Sequence, residues 1–198
     1  VVDLWAGVRD RIGQAPPWTQ DSLVNVYSST KGLAALCVQH LIDRGLLDPE
    51  ARVAEYWPEF AQAGKEAIQL QTLLAHRAGL AAITRRLPHQ AAYNQELMAS
   101  ALADQAPNWA PGTAHGYHAQ TFGFLLAEIV RRTSGQTLGQ YLREHIAGPL
   151  AAEAYVGLPE ALDERVAKVT RPLGEQTPPD EVDLLGVWKR EPGSLTAM

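Results

Sequence analysis

The sequence predicts an α+β fold in which a short strand-bearing N-terminal portion feeds a mostly helical body. Three observations carry this. β-Prone apolar residues cluster near the start, at residues 1–8 and 23–27. Helical spacing of apolar residues dominates from Gly32 to about Gly148. Strands and helices do not alternate along the chain, so a doubly wound parallel sheet is not expected. The organisation read from these signals is one partial domain over 1–198. Residues 1–30 hold the strand region and a chemically interesting turn at Ser28, 31–170 form the helical body, and 171–198 are a loop or tail.

Within the first part, residues 1–8 alternate weakly and read as a strand, and Ala15-Pro16-Pro17 as a loop. Residues 23–27 read as a second extended segment running into Ser28. From Gly32, Leu33, Leu36, Cys37, His40 and Leu41 recur at helical spacing, and Gly45 stops the helix. His40 lies on that stripe and is expected to be a hydrogen-bonded core histidine. A short helical piece through Val53 and Tyr56 ends before Pro58, and the chain is extended around Ile68-Gln69-Leu70. Thr72 to His76 is then a brief helix, with Gly79 as its left-handed stop.

Residues 81–107 are helix-rich and broken at Pro88 and Pro107, and 108–118 form a loop. The strongest helix is expected over 121–133, where Phe122, Leu125, Leu126, Ile129 and Val130 share one side. Arg131 and Arg132 sit in its last turn and Gly135 follows, as the helix dipole and C-capping require. Thr137-x-x-Gln140 is a capping box for the next helix, which ends near Gly148-Pro149.

Bulk composition narrows the function classes. With 46% hydrophobic and 20% charged residues the chain is ordinary globular material, long enough for a sizeable core. The formal net charge of −5 argues against a nucleic-acid partner, which would need clustered lysine and arginine. A single cysteine, Cys37, excludes an internal disulfide, and its helical position suits a small buried hydrophobe. No run of about 18 apolar residues exists, so no membrane span is expected. The chain opens on Val1-Val2-Asp3 with neither Met nor a signal-peptide pattern. It therefore reads as part of something longer, with a cytoplasmic setting as the expectation.

The chemical signal begins at Ser28-Ser29-Thr30-Lys31. A serine where an extended run turns into a helix, with lysine three residues on, places both side chains on one face a turn apart. Free N–H groups at the helix N-terminus favour negative charge developing at the serine. That is a nucleophile–base arrangement. The competing reading is a simple helix cap, but a lysine in the first turn of a helix is electrostatically misplaced. His115 and His118 form a His-x-x-His pair with no third ligand at a recognisable spacing, so no metal is expected. His76 is read as a turn anchor acting through hydrogen bonds.

The second chemical stretch is Trp109-Ala110-Pro111-Gly112, followed by Tyr117-His118-Ala119 and a helix with Gly123. In this order after Ser-x-x-Lys it resembles the serine β-lactamase and penicillin-binding-protein superfamily. It is most similar to the class C-like branch that contains the family VIII carboxylesterases. The segment from Leu73 to Leu80, Leu-Leu-Ala-His-Arg-Ala-Gly-Leu, and the Tyr56-Trp57-Pro58-Glu59-Phe60 loop before it fit the same family.

The resemblance implies an antiparallel sheet packed against the helical region, incomplete in this segment. It implies an acyl-enzyme on Ser28, with Lys31 and Tyr117 as base and proton relay, acting on small acyl esters without metal or cofactor. Which of the two removes the Ser28 proton stays open. A phenol of pKa about 10 is a useful base only when cationic or hydrogen-bonding neighbours stabilise its anion, which Lys31 can do. Trp109, His118 and Ala119 are expected beside the substrate.

Two departures qualify the resemblance. Ala119 stands where β-lactamases usually carry an asparagine that holds the lactam side chain, which favours ester cleavage over a β-lactamase or D-amino-acid peptidase. The third family motif, a strand supplying a second oxyanion N–H, is expected beyond position 198. A further segment should complete the fold, and without it a non-catalytic binding or assembly role is the remaining alternative.

Overall fold

Leu23–Val24 (β1) finds its strand partner near the far end of the described chain, in Val166–Ala167 (β2). The computed structural model describes residues 2–10 and 15–169, which group into two units: 2–29 with 157–169, and 30–156. The tail expected over 171–198 lies outside the described residues.

In the first unit β1 and β2 run parallel, with Leu23 opposite Val166 and Val24 opposite Ala167. The sheet among the described residues is thus a two-stranded parallel pair, not the antiparallel arrangement expected from the family. The strand expected over residues 1–8 reduces to one antiparallel bridge, Val8 with Pro17. Proline on the facing segment limits this ladder, because it has no N–H to donate. The bridge is closed by Arg9 N–H to the Pro16 carbonyl at 2.9 Å and Trp18 N–H to the Gly7 carbonyl at 2.8 Å.

A 3₁₀ turn over Glu160–Arg165 leads into β2. Arg165 Nε donates to the Asp21 carbonyl at 2.8 Å, and Lys168 pairs with Asp10 at 2.6 Å. β2 went unforeseen because two residues after a charged run show no periodicity. The extended segment of 23–27 also ends early. Tyr27 adopts a left-handed φ of 46°, its N–H donates to the Asn25 side chain at 2.8 Å, and Tyr27–Ser29 form a 3₁₀ turn.

The second unit holds six α-helices among the described residues: α1 (Thr30–Asp43), α2 (Val53–Tyr56), α3 (Leu70–Leu74), α4 (Gln95–Asp104), α5 (Thr121–Ser134) and α6 (Leu138–Leu142). Helix α5 lies at the centre, packed against α1, α4 and α6. The five apolar residues predicted to share its face are all buried, as are Ala34, Cys37, Val38 and Leu41 of α1. Gly135 ends α5 at φ 75°, and the Thr137/Gln140 capping box opens α6, both as the sequence predicts. A π-helical turn over Arg143–Ala147 extends α6 to Gly148. Asn94 caps α4 by accepting the Leu97 N–H at 2.9 Å.

Three polar groups inside this unit are satisfied rather than stranded. His40, half-buried rather than in the core, meets the Tyr141 hydroxyl at 2.7 Å. Glu128 is buried, and receives two hydrogen bonds from Arg131 and one from Arg132. Burial alone would raise its carboxyl, but those arginine hydrogen bonds hold it below its ordinary value. Arg132 also bridges to Glu59 at 2.8 Å and lies over the Trp57 ring. Lys65 is wholly buried, donating to the Gln62 carbonyl and to the Gln105 carbonyl at the C-terminus of α4, where a cation is favoured. No helix among the described residues is long and apolar enough to cross a membrane.

Candidate active site

Lys31 occupies the first turn of α1 and Tyr117 the loop ahead of α5, far apart in sequence. The packing of α1 against α5 brings them together, with the Lys31 ammonium 4.8 Å from the centroid of the Tyr117 ring. This is cation–π distance, and it gives the lysine a partner that a solvated helix-start residue would lack. Tyr117 remains 51% exposed. Ser28 belongs to the other unit, in the 3₁₀ turn Tyr27–Ser29 that runs directly into α1 at Thr30.

The Tyr117 loop is held by a second loop, residues 76–84, through a series of cross-ties. The carbonyl of His76 accepts the Gly116 N–H at 3.1 Å, and its Nδ1 accepts the His118 N–H at 3.1 Å. His118 Nε2 in turn accepts the Leu80 N–H at 3.0 Å, and the Thr121 hydroxyl donates to the Leu80 carbonyl at 2.6 Å. Asn108 N–H donates to the Gly79 carbonyl at 2.6 Å, while its side chain accepts from Ala82. Gln105 clasps the same strip, donating to the Ala82 carbonyl at 2.9 Å and accepting from Thr84 at 3.2 Å. The segment from Leu73 to Leu80 is therefore the scaffold on which Tyr117 is mounted.

Local conformation explains why these residues stand here. His76, not Gly79, ends α3 by adopting a left-handed φ of 57°. Gly79 is needed for another reason. Its φ is 75°, and a Cβ there would come 2.4 Å from the Trp109 carbonyl oxygen. Gly116 likewise leaves room for the Trp109 indole, which a Cβ would meet at 2.4 Å. The indole N–H donates to the Ala114 carbonyl at 3.2 Å.

His76 and His118 are neutral supports. Burial, with the nearby His118, His115 and Lys31 adding to it, pushes the His76 pKa down to about 4. His118 is also lowered, first by burial. Its Nδ1–H donates to the Gly116 carbonyl at 2.6 Å, and that fixes Nε2 as the acceptor.

Of the residues expected beside the substrate, Trp109 is half-buried and Ala119 exposed. His118 is 0% exposed and both ring nitrogens are engaged, so it braces the loop from within. The same bonds remove it from any pairing with His115. Among the described residues no group of three or more His, Cys, Asp or Glu could hold a metal. Cys37 is buried, and burial pushes its thiol up to about 11, so it is no competing nucleophile. The sequence missed Gln105 and Thr121 as loop ties and Lys65 as a buried cation. Thr121 stands in the Thr121-x-Gly123 stretch that shares the family resemblance, whereas Gln105 and Lys65 belong to no motif.

Residues 1–191 match the Beta-lactamase family. The chain belongs to that family. Its relatives include the esterase/beta-lactamase LipL of Mycobacterium tuberculosis (strain ATCC 25618 / H37Rv), 38% identical over 174 residues that cover 87% of this chain and 40% of LipL. A solved family VIII carboxylesterase is 45% identical, with a TM-score of 0.82 over 86% of this chain and 47% of that one. A penicillin-binding-protein homologue from Caulobacter crescentus is 40% identical, with a TM-score of 0.80 over 85% of this chain and 45% of its own. The chain thus spans less than half the length of these Beta-lactamase family relatives, and it shares their fold, with substantial helical content.

Proposed function

We propose that the whole protein is a carboxylesterase-type serine hydrolase that cleaves small acyl esters through an acyl-enzyme on Ser28. The observation that carries the reading is the Lys31 ammonium against the Tyr117 ring. Two residues of the expected triad, far apart in sequence, meet within one unit, and Ser28 lies three residues before Lys31 on the chain. The relatives named as esterase and carboxylesterase support the same reaction class.

In the first step Ser28 Oγ attacks the ester carbonyl and its proton passes to the Lys31/Tyr117 pair. The tetrahedral intermediate collapses, the C–O bond to the leaving group breaks, and the alkoxide takes that proton to depart as an alcohol. Water then attacks the acyl-Ser28 carbon, giving up a proton to the pair, and Ser28 leaves with it. In this proposal the N–H of Ser28, in the 3₁₀ turn ahead of α1, supplies one oxyanion donor. The second donor, and the antiparallel sheet the family resemblance implies, belong in this proposal to a segment outside these 198 residues. Removing one such donor costs about 10²–10³ in rate, so the whole protein is the species to assay.

Ala119 favours esters over lactams, since it offers no amide to a lactam side chain. The test is hydrolysis of a p-nitrophenyl short-chain ester beside nitrocefin by the whole protein. Ester cleavage that is abolished in Ser28→Ala, with nitrocefin cleaved far more slowly, supports the reading. Preferential nitrocefin turnover would favour the β-lactamase alternative, and no turnover of either the binding or assembly alternative.

A further inference from the structure

Tyr117 is held on both sides by one residue. The N–H of Gly116, which precedes it, ends on the His76 carbonyl, and the N–H of His118, which follows it, ends on His76 Nδ1, each at 3.1 Å. The other ties between the two loops fall elsewhere, at Leu80, Gly79, Arg77 and Ala82. His76 reaches both amides because it adopts φ 57°, a region in which histidine, asparagine and aspartate are over-represented among non-glycine residues. Its ring is fixed in turn. It stacks on Phe122 with centroids 4.4 Å apart, and tilts against Tyr117 at 5.2 Å.

Since Nδ1 accepts the His118 N–H, the proton of the neutral ring resides on Nε2. The imidazole therefore supplies an acceptor at a defined point, which a merely space-filling aromatic could not.

We propose that His76 is a positioning residue for Tyr117, its carbonyl and Nδ1 together fixing the backbone on either side of the phenol so that the ring meets Lys31. This rests on the reading of Tyr117 as the proton relay. The mechanism asks that the phenol stay aligned with the Lys31 ammonium and the reacting oxygen through both proton transfers. A 1 Å misplacement of such a group can cost on the order of 10²-fold in rate.

The test is a double-mutant cycle in the whole protein, read as kcat and KM for a p-nitrophenyl ester, with thermal midpoints to confirm folding. His76→Gly keeps the left-handed backbone and the carbonyl but deletes the Nδ1 acceptor, and kcat should fall about 10–100-fold with KM little changed. His76→Asn tolerates the same φ and returns an acceptor near the Nδ1 position, so it should recover most of the lost rate. In a Tyr117→Phe background His76→Gly should add almost nothing, because both changes act on one group.

Wild-type kcat in His76→Gly, an Asn variant as slow as the Gly one, or fully additive losses would each overturn the positioning role. If His76→Gly does not fold, His76→Gln serves in its place. Its carbonyl oxygen reaches the Nε2 position instead, so the rate should fall, and a wild-type rate would overturn the inference. Tyr117→Phe with wild-type kcat would instead overturn the reading of Tyr117, a separate result from additive losses beside a slow Tyr117→Phe.

Discussion

The ammonium of Lys31 stands 4.8 Å from the centre of the Tyr117 ring, although the two are 86 positions apart in the sequence. The contact has two possible chemical uses, charge stabilisation and proton transfer, and arginine separates them. Arginine keeps the cation over the ring but does not give up its proton at accessible pH. Lys31→Arg and Lys31→Met should therefore both lower kcat/KM for esters, by about 10²-fold or more each, the range expected of a lost general base. Steady-state kinetics on the whole protein check this. An active arginine variant would limit Lys31 to an electrostatic role.

Acidification should loosen the second unit through His76 and His118. His76 has a folded-state pKa of about 4, below the ordinary 6.5, and His118 is lowered too. Between the two values the unfolded chain binds more protons than the folded one, so stability rises with pH in that window. The contribution is complete above about 6.5 and is lost as pH falls toward 4. Urea midpoints measured from pH 7.5 to 4.5 should fall over that range, and the fall should be smaller in His76→Asn.

His118→Leu tests the interior brace. The substitution leaves the Leu80 N–H without its acceptor in a buried place, at a cost of about 1–3 kcal/mol. Thermal unfolding should show a lower midpoint. Because His118 is wholly buried, KM for small esters should change less than kcat, which depends on how the adjoining Tyr117 is held.

Gly116→Ala drives a methyl group into the Trp109 indole, where a Cβ would lie 2.4 Å from the ring. The indole must shift, and overpacking of this kind costs about 1–3 kcal/mol. Altered tryptophan fluorescence together with a lower thermal midpoint is the expected result.

Glu128→Ala removes the carboxylate that Arg131 and Arg132 share. Both arginines retain some access to water, which softens the loss to about 1–3 kcal/mol. The variant should unfold at lower urea while kcat at 25 °C stays near that of the parent, since the cluster lies in the C-terminal half of α5 and Tyr117 precedes the helix.

How much of this was legible in the sequence depended on whether the signal was local. The face of α5, the capping box at Thr137 and the stop at Gly135 are set by spacing and dihedral preference within a few residues, and each is found where expected. The hydrogen bond of His40 and the anchoring role of His76 follow from side chains that carry both an apolar body and a polar nitrogen. β2 was illegible because a two-residue strand has no period, and its pairing with β1 comes from the other end of the chain. The inward turn of His118 to Leu80 was not legible, because adjacency to Tyr117 does not reveal which way an imidazole turns. Gly79 was assigned to a helix end when the close approach of Trp109 is what requires it. Cross-ties such as Gln105 to Ala82 need the tertiary fold before they can be seen.

The central claim is that Ser28 becomes acylated. Incubating the whole protein with a fluorophosphonate probe and mapping the adduct by peptide mass spectrometry tests it most directly. The account predicts one adduct, on Ser28, absent from Ser28→Ala and formed slowly in Lys31→Met. An adduct on another residue, or undiminished labelling of Ser28→Ala, would contradict it.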